Sequence, residues 1–234
     1  SWGPVMNRKL RVILIAGVIA AGAAAKAPAA PDSAFTVETS GQAEGRIASQ
    51  AERGAAERRA VDLVASMGAD ALRALQQRPQ GRVDAIAALV ERYVDLGFVL
   101  RSSLPRDLLS VLDDRERVAV ARAYQAFAAE DYARAFDSYK GEQIDVVSVT
   151  TIGPGVVRVS TRLRSPEIEG GLSIDWIVAG LDTRRAGLRD LIIEGASTLA
   201  GQQQLIAALW NDVGKDKATF LKRIASPDPW GDGE

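Results

Sequence analysis

The spacing of apolar residues along this chain changes near Lys140-Gly141 and changes back near Leu199, and few folds accommodate such a pattern. Before the first point apolar side chains recur every three to four residues, as on one face of a helix. Between the two they alternate, as on one face of a sheet. Ala55 to Gln77 carries Val61, Leu63, Val64, Met67, Leu72 and Leu75, which predicts an amphipathic helix bent near Gly68. Pro79 and Gly81 separate it from a second helix holding Val83, Ile86, Leu89, Val90 and Tyr93, then Leu96, Phe98, Val99 and Leu100, which Pro105 must end or kink. A short apolar segment, Arg106 to Leu112, follows. Asp113 with Glu116 three residues on makes a capping box. The helix it opens runs to about Tyr139 with Val118, Ala121, Tyr124, Phe127, Ala128, Tyr132, Phe136 and Tyr139 in a wide stripe.

The alternating part reads as four strands: Gln143 to Thr151, Val156 to Arg164, Leu172 to Val178 and Leu188 to Glu194. Gly153-Pro154-Gly155, Glu169-Gly170-Gly171 and Asp182 to Gly187 supply the turns, and connections this short imply antiparallel neighbours. Two helices close the chain, Leu199 to Val213 and Asp216 to Ala225. Helices, then strands, then helices make one α+β domain over 55–226, a four-stranded antiparallel sheet whose apolar face amphipathic helices cover. Residues 31–54 are rich in Ala, Ser, Thr, Gly and Glu with no apolar period and read as a flexible linker; 227–234 read as a flexible tail.

The start of the chain is an export signal. Ser1 to Val5 precede the first Met and read as a non-native start. Asn7, Arg8, Lys9 and Arg11 then give a positive segment, and Val12 to Ala25 an uncharged apolar run of 14 residues ending in small side chains. Crossing a bilayer takes about 20 apolar residues, so residues 1–30 read as a non-native start and a secretory signal peptide, with cleavage expected after Ala25 or Ala29, towards the later end of that range. Loss of Arg8, Lys9, Arg11 and Lys26, with no acidic residue, takes the formal charge from −1 to −5. A mildly acidic chain without a basic face is not built for nucleic acid. With no Cys, lipid attachment at an N-terminal cysteine, disulfides and thiolate metal sites are all closed.

Catalytic chemistry is poorly provided for. The chain has no His, the usual general base and neutral metal ligand. A serine nucleophile would need a Lys or carboxylate base, and the lysines beyond the signal (Lys140, Lys215, Lys217, Lys222) sit in turns or terminal segments. Gly153-Pro154-Gly155 precedes a strand rather than a helix, so it is a turn and not a phosphate loop. No catalytic residue, metal ligand or cofactor is expected. The apolar stripes are compatible with a packed core and with a lined cavity, and periodicity does not separate the two.

Five segments in order resemble one family. Val94-Asp95-Leu96-Gly97-Phe98-Val99-Leu100-Arg101-Ser102-Ser103-Leu104-Pro105 resembles an FDxxxMARxxLG segment at Asp95, Arg101 and Leu104, with Val94 and Pro105 departing from it. Leu112-Asp113-Asp114-Arg115-Glu116-Arg117 resembles an ATPxQR helix start, and Phe127, Tyr132, Phe136, Tyr139 and Gly141 follow the helix end of the same pattern. Leu172-Ser173-Ile174-Asp175-Trp176 resembles V-x-[VL]-D-[YF]. Asp190 to Ser197 resembles D-[VM]-x-x-E-G-V-S, preceded by Arg189 where an aromatic is usual, and the Gln-rich helix start at Gln202 to Gln204 follows. Together these resemble the MlaC (toluene-tolerance) family across Ala55 to Ile224.

The resemblance implies a monomeric periplasmic carrier whose cavity between helices and sheet holds phospholipid chains. It also implies passage of lipid between an outer-membrane lipoprotein complex and an inner-membrane ABC transporter bearing an MCE protein, a system that keeps outer-membrane lipid asymmetric. Val99, Leu104, Phe127, Phe136, Ile174, Trp176 and Ile192 are then the candidates for tail contact. Asp95, Arg101, Arg117, Asp175, Asp190 and Glu194 read as caps, ion pairs and turn supports. The same fold would also serve another apolar lipid such as a hopanoid, or an adaptor that docks protein instead of lipid.

Overall fold

The computed structural model of the chain describes residues 40–75, 77–136, 143–165, 168–183, 185–226 and 229. Its elements run α1 (Ser40–Leu75), α2 (Pro79–Tyr93), α3 (Leu96–Ser103), α4 (Arg106–Val111), α5 (Asp114–Phe136), β1 (Gln143–Gly153), β2 (Val156–Ser165), β3 (Ile168–Ala179), β4 (Gly187–Ile193), β5 (Ala196–Ser197), α6 (Thr198–Asp212) and α7 (Lys217–Ile224). The α+β architecture is the expected one. The sheet, however, has five antiparallel strands in chain order rather than four. The extra strand is two residues long, too short to leave a period in the sequence.

Three other expectations change. Helix α1 begins at Ser40 rather than Ala55, inside the stretch that composition alone reads as a linker. Ala, Glu, Gln and Arg between Gln42 and Arg53 favour helix without an apolar stripe. The helix expected over Val83 to Leu100 is two helices: Val94 is extended (φ −96°, ψ 134°), and Asp95 opens α3 by accepting the Phe98 N–H at 3.1 Å. Gly170 and Gly171 do not form a turn but lie within β3 at φ +78° and +71°. A Cβ at Gly171 would run into the Leu163 carbonyl, so this strand pair closes only around a glycine.

The apolar sheet face carries Val157, Val159 and Leu163 of β2, Ile174, Trp176 and Val178 of β3, and Leu191 and Ile193 of β4. Helix α1 lies across β1 and β2, with Ala60, Val64 and Met67 in the same buried cluster. Edge strand β1 has β2 as its one neighbour in the sheet, and its register shifts where Val147 and Ile152 occur. Glu57 of α1 accepts both the Thr151 N–H (3.3 Å) and its hydroxyl (3.0 Å) on that edge. At the far side of the sheet, Val94 bridges Leu188 in parallel and the Asp95 N–H donates to the Leu188 carbonyl at 2.9 Å. Gly187 permits this approach, since a Cβ there would lie 3.0 Å from Asp95 N.

A second buried cluster gathers Leu104, Leu108, Leu112 and Val120 with Ile206, Leu209, Trp210, Phe220 and Ile224, the Trp210 and Phe220 rings meeting edge to face at 5.7 Å. The capping box forms as read: the Glu116 N–H donates to Asp113 and the Asp113 N–H to Glu116, each at 2.8 Å. Asp113→Ala is expected to lower stability by about 1 kcal/mol, measured by urea denaturation.

Polar ties hold α7 to this cluster. Lys217 pairs with Glu116 at 2.8 Å, lowering the carboxyl pKa and raising that of the amine. Asp107 accepts from Lys215 Nζ (2.7 Å) and Trp210 Nε1 (3.1 Å), and these bonds, Lys215 first, pull its pKa from 3.8 to about 2. A carboxylate depressed in the folded chain stabilises it fully above the unfolded pKa. That contribution fades as pH falls from 3.8 towards 2. The unfolding midpoint should therefore drop over this window, and Asp107→Asn should shrink that drop.

Candidate functional site

Among the described residues, three clefts and the buried sheet face are the places where a ligand could meet this fold. One cleft, of about 560 Å³ between α1 and the β1–β2 turn, is rimmed by the charged Glu52, Arg53, Arg59 and Asp182. On the sheet face, Ile174 and Trp176 point to the helices as expected. Both are packed rather than open, at 1% and 0% exposure. Trp176 Nε1 donates to Thr161 Oγ1 and that hydroxyl donates to the Ile174 carbonyl, both at 2.9 Å. The one polar handle of the indole is thus satisfied inside the core.

Ile192 lies on the other face. Its register partner is Asp175, whereas Leu191 pairs with Trp176 and Ile193 with Ile174. The reason is a bulge at Arg189: Ile177 pairs with Asp190 but Val178 with Leu188, so the strand's alternation resets between Leu188 and Leu191. Leu104 is buried in the helical cluster around Phe220, away from Ile174 and Trp176. Phe127 and Phe136 belong to α5, but their side chains lie outside the described residues. The candidates that are described are therefore not gathered around one space.

Val99 does face a cleft. Where α2, α3, α5 and α6 meet β4, a crevice of about 50 Å³ is lined by Val90, Val94, Val99, Tyr124, Leu188, Arg189, Asp190, Leu191, Thr198, Leu199 and Gln202. Its walls are fixed by charge. Arg189 Nε donates to Asp95 at 3.0 Å while its guanidinium sits 4.4 Å over the Phe98 ring. Asp190 accepts from Ser197 Oγ (2.6 Å), Thr198 Oγ1 (3.1 Å) and the Leu199 N–H (3.0 Å), which seats the start of α6 on β4. Gln202 Nε2 is enclosed here with no hydrogen-bond partner among the described residues, a donor free to meet a ligand acceptor. Of these residues the sequence had singled out only Val99 as a ligand contact. Asp95 as a cap was the signal that the helix breaks here and opens a corner.

Of the residues read as structural, Asp95, Arg117, Asp175, Asp190 and Glu194 make caps, ion pairs or turn bonds, and Arg101 makes none among the described residues. Arg117 spans Asp114 and the Leu109 carbonyl, both at 3.1 Å, and Asp175 lies 3.9 Å from Arg158. Glu194, in the left-handed region at φ +48°, exchanges hydrogen bonds with the main chain of Ser173. Arg101 is exposed beside Gly97.

A larger groove of about 900 Å³ runs between α5 and α7, over Val118, Ala119, Ala123, Ala126, Ile224 and Ala225, with Asp114, Arg115, Arg122 and Ser226 at its margins. Val118, read as core, is 52% exposed here. Among the described residues, no group of three or more Asp and Glu side chains could hold a metal ion, and no helix is long and apolar enough to cross a membrane.

Comparison with known proteins gives two findings. A family model described as MlaC protein matches residues 58–219. The fold is similar to that of the phospholipid-binding protein from Ralstonia solanacearum, solved in complex with a phospholipid. The likeness has a TM-score of 0.55 at 14% identity and covers 73% of this chain and 93% of that one. No curated protein sequence matches the chain.

Proposed function

The chain belongs to the MlaC family, and from that premise we propose that it is a periplasmic carrier that binds a phospholipid by its acyl chains and releases it unchanged. The observation that carries the reading is the family match over 58–219, which spans the sheet and every helix from α2 to α6. The phospholipid in the similar Ralstonia protein supports the ligand class. In this reading the signal at Met6 to Ala29 exports the chain. The carrier then exchanges lipid with an outer-membrane lipoprotein complex on one side and an inner-membrane MCE/ABC transporter on the other.

Physics supplies the need. Each CH₂ exposed to water costs about 0.8 kcal/mol, so some thirty of them set an unassisted barrier on the order of 20 kcal/mol. A protein that replaces the bilayer's apolar contacts removes most of it without any bond making. Ligand pockets usually span about 300–1,000 Å³, and the crevice at Val99 is about 50 Å³. Acyl chains would thus enter only as α3 and α6 move off β4, exposing the apolar faces that these helices and strands now share. The Gln202 amide stands at that corner as a donor for an ester carbonyl.

Native mass spectrometry with lipid extraction, on protein purified without detergent from its own periplasm, tests the reading. A two-chain phospholipid is expected. A polycyclic triterpenoid would move the ligand to another apolar lipid. Protein that stays lipid-free and takes nothing from phospholipid vesicles would overturn the carrier reading. Leu199→Trp narrows the crevice at a half-buried position. Crowding of about 1–3 kcal/mol should weaken lipid retention roughly ten- to hundredfold, with little loss of helical signal.

A further inference from the structure

Two hydrogen-bond donors at the Val99 crevice are held in place and left without an acceptor. The first is the Arg189 guanidinium, which stands on the bulge of β4 and is 31% exposed. Its Nε is spent on Asp95 at 3.0 Å, and its central carbon lies 4.4 Å over the Phe98 ring. The two Nη groups have no partner among the described residues. Asp95 is committed elsewhere too, since its other oxygen accepts the Phe98 N–H at 3.1 Å. The second donor is Gln202 Nε2, shut away from solvent with no partner. Both residues line the same crevice. The one carboxylate among its described lining residues, Asp190, already accepts from Ser197, Thr198 and Leu199.

This pair asks for anionic oxygens at the solvent end and a neutral acceptor further in. We propose that Arg189 binds the phosphodiester oxygens of the carried lipid, and so selects phospholipids over uncharged lipids with the same chains. The inference rests on the carrier reading above and goes beyond it by naming the residue that sets the headgroup class. A guanidinium fixed at one side offers its Nη donors as a fork that matches phosphate oxygens. A glycerophospholipid also has its groups in the matching order. Phosphate meets Arg189 at the mouth, an ester carbonyl is left for Gln202, and the acyl chain runs on past Val99, Leu191 and Leu199. Moving α3 off β4 to admit the chains parts Arg189 from Asp95. A phosphate supplies the anion that the guanidinium then loses, and an uncharged lipid does not.

The test is a competition on the full chain, freed of lipid and mixed with vesicles of dioleoyl phosphatidylglycerol doped with dioleoylglycerol. The two lipids share acyl chains and ester carbonyls and differ at the phosphate. Lipid extracted from the re-isolated protein, normalised to vesicle composition, should favour the phospholipid roughly tenfold, as one charged hydrogen-bonded contact can. Arg189→Gln should bring that ratio down to about one, and Arg189→Lys, which keeps the charge but not the fork, should fall between. A merely structural role for Arg189 would lower both lipids together and leave the ratio unmoved, which would overturn the proposal. Equal uptake of the two lipids by the unaltered chain would also overturn it, and leave the carrier reading standing. Uptake of neither would sink the carrier reading and this inference with it. Inorganic phosphate alone gives the last arm. If it raises the melting temperature of the lipid-free chain but not of Arg189→Gln, the guanidinium serves a free anion and the proposal falls.

Discussion

Trp176→Ala should lower the unfolding free energy by about 3–5 kcal/mol, the cost typical of removing a large aromatic from a core. Trp176 has no exposed surface, lies between Val159 and Leu191 in the sheet register, and sits under the α1 cluster. The neighbours come from three strands and a helix, so they cannot collapse into the space together. The change also strips Thr161 of the indole donor at 2.9 Å in a buried setting. Since a domain this size is stable by roughly 5–15 kcal/mol, the variant should sit near its unfolding threshold at physiological temperature. Trp176→Phe keeps most of the volume and loses the hydrogen bond, so it should cost about 1–2 kcal/mol. Urea denaturation followed by circular dichroism separates the three proteins. A loss below about 1 kcal/mol for the alanine variant would mean that the site is not the packed core described here.

Asp190→Ala should cost about 2–4 kcal/mol, because one carboxylate serves two hydroxyls and a main-chain N–H, and hydrogen bonds to charged groups each contribute about 1.5–3 kcal/mol. The damage should be local as well as global. With its start released from β4, α6 should lose amide exchange protection from Leu199 onwards, while β2 and β3 keep theirs. Asp190 also lines the Val99 crevice, so lipid retention should fall with the same change. Asp190→Asn preserves an acceptor for the Leu199 N–H but turns a donor towards the other partners, and should fall between the two. If α6 exchange is unchanged in the alanine variant, the carboxylate does not seat the helix.

The strands were legible because alternation is a local property: Val157, Val159 and Leu163 against Leu172, Ile174, Trp176 and Val178 define one face without knowledge of the partners. The bulge at Arg189 was the exception, and it misplaced Ile192. The interval of three from Leu188 to Leu191 was its trace in the sequence. Capping was legible at Asp113-Glu116, where both partners lie three residues apart. Asp95 was read among the caps and ion pairs, but the break it caps was missed, because an unbroken helical period runs from Val83 to Leu100. What ends α2 is a bridge to Leu188, nearly a hundred residues away. The candidate site was the least legible part. A residue that packs and a residue that lines a cavity share one pattern, which is why Leu104 joined a different cluster from Ile174 and Trp176.

Edge strand β1 bears on how such a chain behaves when crowded. The outer edge of an 11-residue strand, without a neighbour among the described residues, is a template for the same strand in another molecule. Here the irregularities at Val147 and Ile152 prevent a flat, in-register run, and Glu57 occupies a main-chain donor that an incoming strand would need. Both valine and isoleucine stand exposed, at 58% and 45%, yet on segments where continuous pairing is interrupted. An incoming strand would thus meet two kinks and one occupied donor along this edge before it could pair in register.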